Sequence, residues 1–473
     1  VPRPGTEIRI VDGAAGGGPV LDTGQAFFAG VAARGSTTKA VKVASLPEYE
    51  TLFGPRSGGS LLYDAVATFF AEGGGTLYVS RASGAGAATA TALLGTGLTA
   101  KAASPGVWGN SVKVTAVAPA FGAGVEIVVE SPAGTEVDRS PALATNDAIV
   151  AWSQGRNWVT FTKVNDTLPP AASTATLTTG ADGSAPTTAD VAAALARFEY
   201  GLGPGQVAAP GYTTTVIHQE LLKHVDATRR VALVDLPDTA SGATLATAVQ
   251  ALGTTKGVRF AQALAPWLSY PGPAGAPVVV PSSGVQAALI ARQDAVTGNP
   301  NEAAAGAGGI HRGTLGISQA YSDADRKTLN EQGVTLAKEK YGSIRTYGGR
   351  TAAGPADTNW LPFGNSRVLM AIAHEADAVA ELYVFKQIDG GRRVFAALES
   401  DLNGVCLRYF NLGALFGNSA EEAFNVDTGP QVNTLATIQA QEIHAVIRVK
   451  ASPFGEWVAL DIVKVPIQQA LAA

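Results

Sequence analysis

The chain of 473 residues holds one cysteine, Cys406, and that scarcity excludes an internal disulfide and any zinc site built on thiolates. Its five histidines are scattered along the chain. Charged residues make up only 15% of it, with a formal net charge of -5, and the lysines and arginines read as dispersed. Neutralising phosphates takes a clustered cationic surface, so nucleic acid is not expected as a partner, and a membrane surface is equally unsupported. The longest uncharged run, residues 260 to 291, is broken by Pro266, Pro271, Pro273, Pro277 and Pro281, which no spanning helix would tolerate. No charged n-region and apolar h-region open the sequence, so the expectation is a soluble protein without a secretory signal, made in a reducing compartment.

Signatures of catalysis are missing too. There is no Gly-Lys dipeptide, hence no Walker A lysine, and the glycines at 84 to 86, 201 to 205 and 306 to 309 never complete G-x-G-x-x-G. A nucleophile elbow, G-x-S-x-G, does not occur. On a long apolar-striped helix His374 and Asp377 have i, i+3 spacing, but without a second histidine nearby they read as a polar, solvated or interface-facing side. Asp235 and Asp238 end an apolar strand around Pro237, where α/β enzymes keep carboxylates, and are read as a structural turn. Arg229-Arg230 and Arg392-Arg393 are left as solvated faces or interface contacts. No catalytic, cofactor or metal residue is expected.

What is present is patterning. Strand and helix alternate from residue 21: a strand at 26 to 31, helices at 46 to 53 and 61 to 71, and a strand at 76 to 81 after Gly73-Gly74-Gly75. An Ala, Gly and Thr stretch at 83 to 100 reads as a boundary or a weak helix. From 105 to 180 only short strands are expected, making a small β domain inserted into the α/β one. Helices then separate near-continuous apolar strands at 206 to 209, 231 to 236 and 258 to 264, with a further strand at 278 to 280. That is the mark of a mostly parallel sheet covered on both faces. Residues 323 to 340 read as a polar helix, 345 to 355 as a turn-rich link, and 365 to 388 as a long helix with Val368, Ile372, Val379, Leu382 and Val384 in one stripe. A further helix follows at 395 to 410.

The two ends are unusual. Ile8, Ile10 and Val11 form a short alternating strand joined to the body by the glycines at 16 to 18, too small to fold alone. At the other end Ile443, Ala445, Ile447 and Val449 share one strand face. After Pro453-Phe454-Gly455 comes a second strand, with Val458, Leu460 and Ile462 on one side and Trp457, Ala459, Asp461 and Val463 on the other, so the pair reads as a hairpin. Such a last strand pairs within its own sheet or reaches into a neighbour's.

Several separate motifs carry a resemblance. They are Phe53-Gly54, Leu62-Tyr63-Asp64-Ala65-Val66, Phe69-Phe70, Tyr78-Val79-Ser80-Arg81, Pro105 to Asn110, Val234-Asp235-Leu236-Pro237, Pro281 to Val285, Gly413 to Gly417, Glu421 to Val426 and Pro453 to Trp457. Together they resemble the tail sheath family of contractile phages and related injection machines, over nearly the whole chain. A departure falls at 330 to 350, where Arg345 and Tyr347-Gly348-Gly349-Arg350-Thr351 replace the family's asparagine-led strand and Trp-Gly-Ala-Arg-Thr-like stretch.

The resemblance implies an α/β multidomain fold: a mostly parallel α/β core at 21 to 100 and 183 to 345, an inserted β domain at 101 to 182, and a C-terminal α+β domain at 346 to 455. Residues 1 to 20 and 456 to 473 would be arms exchanged between subunits. Ile8, Ile10, Val11, Trp457, Val458, Leu460, Ile462 and Val463 would be donated, with Ile443, Ala445, Ile447 and Val449 as the acceptor strand. The implied role is a non-enzymatic subunit of a six-fold helical sheath that contracts around a tail tube, in a phage virion or in an extracellular contractile injection system. Its partners would be copies of itself, the tube protein, and baseplate and tail terminator proteins, with no cofactor, nucleic acid or membrane insertion. The competing reading is an α/β enzyme of unrecognised chemistry.

Overall fold

A computed structural model describes residues 21 to 58, 61 to 272 and 275 to 456, and Val458 to Leu460, Ile462 and Lys464 beyond them. Its centre is an eight-stranded sheet. In chain order the strands are β1 (Ala26–Gly30), β2 (Val41–Val43), β3 (Leu77–Arg81), β4 (Gln206–Ala208), β5 (Val231–Asp235), β6 (Ala261–Ala265), β7 (Val334–Lys340) and β8 (Ser343–Tyr347). They lie side by side as β8-β7-β6-β5-β4-β1-β3-β2. The six inner strands are mutually parallel, and β2 and β8 close the edges antiparallel. The expected mostly parallel core is therefore present.

Both faces of this sheet are covered, and its inner strands are buried at nearly every position. In β1, Ala26 and Phe28 point into one core, with Phe53, Phe69 and Ile290 from the helices Leu46–Phe53, Leu61–Ala71 and Ser282–Thr297. Phe27 and Ala29 point into the other, with Leu195, Leu221 and Leu245 from the helices on the far side. Gly284 lets two of these helices touch: a Cβ there would sit 2.5 Å from the Ala65 carbonyl oxygen.

Between β3 and β4 the chain makes a separate module with its own core of Leu94, Leu98, Ile127, Ile149 and Phe161. It consists of an antiparallel three-stranded sheet (Thr91–Leu94, Leu98–Ala102, Val159–Lys163) and a four-stranded one. The stretch at 83 to 100, expected as a boundary or weak helix, thus contributes two strands to this core. A helix, Asn146–Ser153, capped by Thr145 Oγ1, also interrupts the strands-only pattern.

Three other expectations are corrected. The polar helix expected at 323 to 340 ends at Glu331, and Val334 to Ala337 turn into the buried part of β7. The link expected at 345 to 355 begins as β8. The strand Pro277–Val280 does not join the main sheet, pairing instead in a small antiparallel sheet with Leu268–Pro271.

The C-terminal unit packs the helix Phe363–Ala380 against the helix Arg393–Asn411 over Val368, Ile372, Val379, Leu398, Leu402 and Val405. The first helix ends eight residues before the expected 388, leaving Leu382 63% and Val384 49% exposed rather than on the buried stripe. Among the described residues no helix is long and apolar enough to cross a membrane.

Candidate functional site

The C-terminal unit carries a two-stranded ribbon, β9 (Phe424–Asp427) paired antiparallel with β10 (Val446–Val449). Alternation explains how it is seated. Ile447 and Val449, with Ile443 before them, are half-buried against the helix-pair core, whereas Val446 and Arg448 are exposed. Ala445, grouped with them in the sequence reading, is exposed.

The phase of the ladder follows from one bond. Lys450 N–H donates to the Ala423 carbonyl, so Arg448 and Val446 also turn their backbone groups toward β9. Past Lys450 the same side of the strand meets residues 414 to 416, through Phe416 N–H to the Lys450 carbonyl and Ser452 N–H to the Ala414 carbonyl. The backbone groups of Ile447, Val449 and Ala451 therefore all face the other way, along an edge with no strand paired to it among the described residues. The outer edge of β9 is open as well, beside a groove of about 480 Å³ lined by Glu399, Asp401, Leu407 and Glu421.

Among the described residues no second strand follows Pro453. Asn301 Nδ2 holds the Ser452 carbonyl at 2.8 Å, and the Phe454 ring lies close over Gly349. Arg350 then grips Glu456 at two points, Nε to Oε1 at 3.0 Å and Nη2 to Oε2 at 2.6 Å. That contact raises the guanidinium pKa above its usual value, through the hydrogen bond first and charge second. Past this grip Val458, Leu460 and Ile462 are 74%, 83% and 97% exposed, with no strand assigned to them. Trp457 and Val463, like Ile8, Ile10 and Val11, lie outside the described residues. The root of the N-terminal segment is tied in by Leu21 N–H to Glu375 Oε1, on a carboxylate that also pairs with Arg408. Thr23 Oγ1 adds a bond to Asp294, itself paired with Arg367.

Residues weighed for chemistry are occupied structurally. Asp235 is buried, accepting from Gly211 N–H, Ser283 N–H and Ser283 Oγ, so it locks β5 to the start of the Ser282–Thr297 helix. Burial raises its pKa to about 6 despite those bonds. Asp238 accepts from Ser318 Oγ. His374 stacks on Tyr200 at 4.4 Å, its Nε2 2.9 Å from the Arg229 carbonyl, and burial lowers its pKa. Arg230 is neither a solvated face nor an interface contact. It is fully buried over the Phe27 ring and donates to the carbonyls of Phe198, Glu199 and Gly203. Arg392 donates to the Thr428 carbonyl. Among the described residues no group of three or more His, Cys, Asp or Glu side chains could hold a metal ion.

No protein-family model and no curated protein matches the chain. Solved structures do. A sheath tail protein from Listeria innocua superposes with a TM-score of 0.65 at 14% identity, over 88% of this chain and 92% of that one. A sheath tail protein from Desulfitobacterium hafniense gives 0.58 at 14% identity, over 90% and 93%. A chain of the contracted sheath complex of PVC, an extracellular contractile injection system, gives 0.58 at 15% identity over 99% of both chains. With mutually parallel inner strands, an inserted β module and an open-edged C-terminal ribbon, the chain has the fold of the contractile sheath proteins.

Proposed function

We propose that this chain is the structural subunit of a contractile sheath, a non-enzymatic protein that polymerises as a six-fold helical tube around an inner tube and shortens to drive that tube forward. The observation that carries the reading is the mismatch at the C-terminus. Three alternating apolar side chains stand in solvent after a clamped root, while an edge with no strand paired to it among the described residues runs along β10. Both features are liabilities in an isolated subunit. Each resolves the other when residues 457 to 463 of one copy add to β10 of the next, with the N-terminal strand serving a second edge.

Burying Val458, Leu460 and Ile462 would contribute at most about 5 to 9 kcal/mol per contact, at about 1.5 to 3 for each side chain. Ordering the arm offsets much of that. A donated strand keeps its ladder when the domain it joins turns as a rigid body, so neighbours can repack from an extended lattice to a shorter, wider one without separating. Tube, baseplate and terminator proteins are the partners this role requires, and the particle would be a phage tail assembled in the host cytoplasm. The extracellular injection system is the second reading, favoured by the wider coverage of its sheath chains.

Negative-stain microscopy of the full chain, alone and with its cognate tube, tests the proposal. Hollow striated tubes are expected. Removal of residues 456 to 473, or of residues 1 to 14, should leave a folded chain that forms none. A truncation that unfolds the core would place that end in its own sheet, and a full chain inert even on its tube would return the α/β enzyme to first place.

A further inference from the structure

The chain stays apolar after it leaves the Phe363–Ala380 helix and its buried stripe. Leu382, Val384 and Phe385 follow before the next helix, where they are 63%, 49% and 103% exposed. Phe385 also holds a left-handed backbone, φ 63, a conformation costing a residue with a side chain about 1 to 2 kcal/mol. A fully exposed phenylalanine in a strained conformation at the tip of a helical hairpin gains nothing from its own subunit, and that combination points to a contact made elsewhere.

A receptor of the right character lies on the same molecule. Where the helix Asp323–Glu331 faces β7, β8 and residues 454 to 456, a groove of about 440 Å³ is lined by the apolar Ala303, Ala305, Leu336 and Phe454, by Lys327 and Lys338, and by Asp323 and Glu456, carboxylates already paired with Arg326 and Arg350. Lys338 lies over the Tyr347 ring at 3.7 Å and has no carboxylate partner among the described residues. The loop brings Glu381 and Asp389 on either side of Phe385, with Lys386 offsetting one of these charges.

We propose that the 381 to 389 loop of one copy docks in this groove of a second copy, Phe385 seated on Ala305 and Leu336 with Glu381 and Asp389 toward Lys327 and Lys338. Knob and groove are different surfaces, so the contact is heterologous and repeats from copy to copy instead of closing a pair. It rests on the self-assembly proposed above and is separate from the exchanged strands. Two features of the same fold, an exposed apolar knob on a strained backbone and an apolar hollow flanked by two lysines, are thereby accounted for together.

The test uses two full-length variants, Phe385→Cys and Ala305→Cys, mixed in equal amounts under assembly conditions and oxidised; the native Cys406 is buried and does not compete. A disulfide-linked dimer specific to the mixture is expected, and Phe385→Asp should lower the assembled fraction at least tenfold without changing the melting temperature. Assembly by wild type with no mixed disulfide, or normal assembly by Phe385→Asp, overturns the docking and leaves the sheath reading intact. A disulfide formed within one chain carrying both cysteines, on monomer, also overturns it. Wild type that stays monomeric even on its tube overturns both proposals.

Discussion

Among the described residues Arg350 and Glu456 make the last side-chain contact that fastens the C-terminal segment to the body, a two-point grip directly before the exposed apolar residues. Both side chains are partly exposed, so the pair is worth about 1 kcal/mol or less in stability. Its larger effect is to fix where the segment leaves. Arg350→Ala should move the melting temperature little, by calorimetry, while a pelleting assay shows several-fold less polymer.

Leu460→Asp isolates the segment itself. At 83% exposure the change should alter unfolding free energy by less than about 0.5 kcal/mol. Assembly should be lost, because a carboxylate would have to enter an apolar strand interface. Equal loss of stability and assembly would place Leu460 in its own subunit's core.

Arg230 predicts the opposite pattern. It is fully buried, and removing it leaves the three carbonyls it serves without their donor. Urea titration of Arg230→Ala should show a loss on the order of 3 to 5 kcal/mol.

Acid should weaken the core through His224, whose pKa burial, and secondarily the Arg230 charge, lower to about 4. The sign follows from linkage: the folded chain prefers neutral imidazole, so this contribution is full above pH 6.5 and is lost as pH falls toward 4. At about 1.4 kcal/mol per pKa unit, His224→Gln should lose up to about 3 kcal/mol less than wild type between pH 7 and 4. Parallel pH profiles would refute the assignment.

The sequence disclosed most where local pattern and tertiary setting agree. The helices at 46 to 53 and 61 to 71 have the bounds read from periodicity, and buried parallel strands such as Val231–Asp235 are apolar at almost every position, which short runs bounded by turns reveal. It disclosed least where a residue's partner is far along the chain. Thr91–Leu94 has Thr91 as its one β-branched residue and is held as a strand by Leu98–Ala102 pairing beside it. Val334 to Ala337 looked like the end of a polar helix, although Gly333, at φ 87, ends the helical path and starts a strand.

At the candidate site the alternation of 443 to 449 was legible, and so was the apolar set at 458 to 462. The fastening between them was not, since the Arg350 grip on Glu456 joins residues 106 apart in sequence. The groove was hidden for a similar reason. Lys327 and Lys338 are apart in sequence and are brought together by a helix turning back as a strand.

The open edge of β10 has one more consequence. A copy that can receive a strand but has none to give still fits the end of a row, and nothing can be added beyond it. Rows built from such contacts are polar, one tip showing a vacant edge and the other an unused strand, so a small fraction of truncated chain would act as a stopper and set filament length.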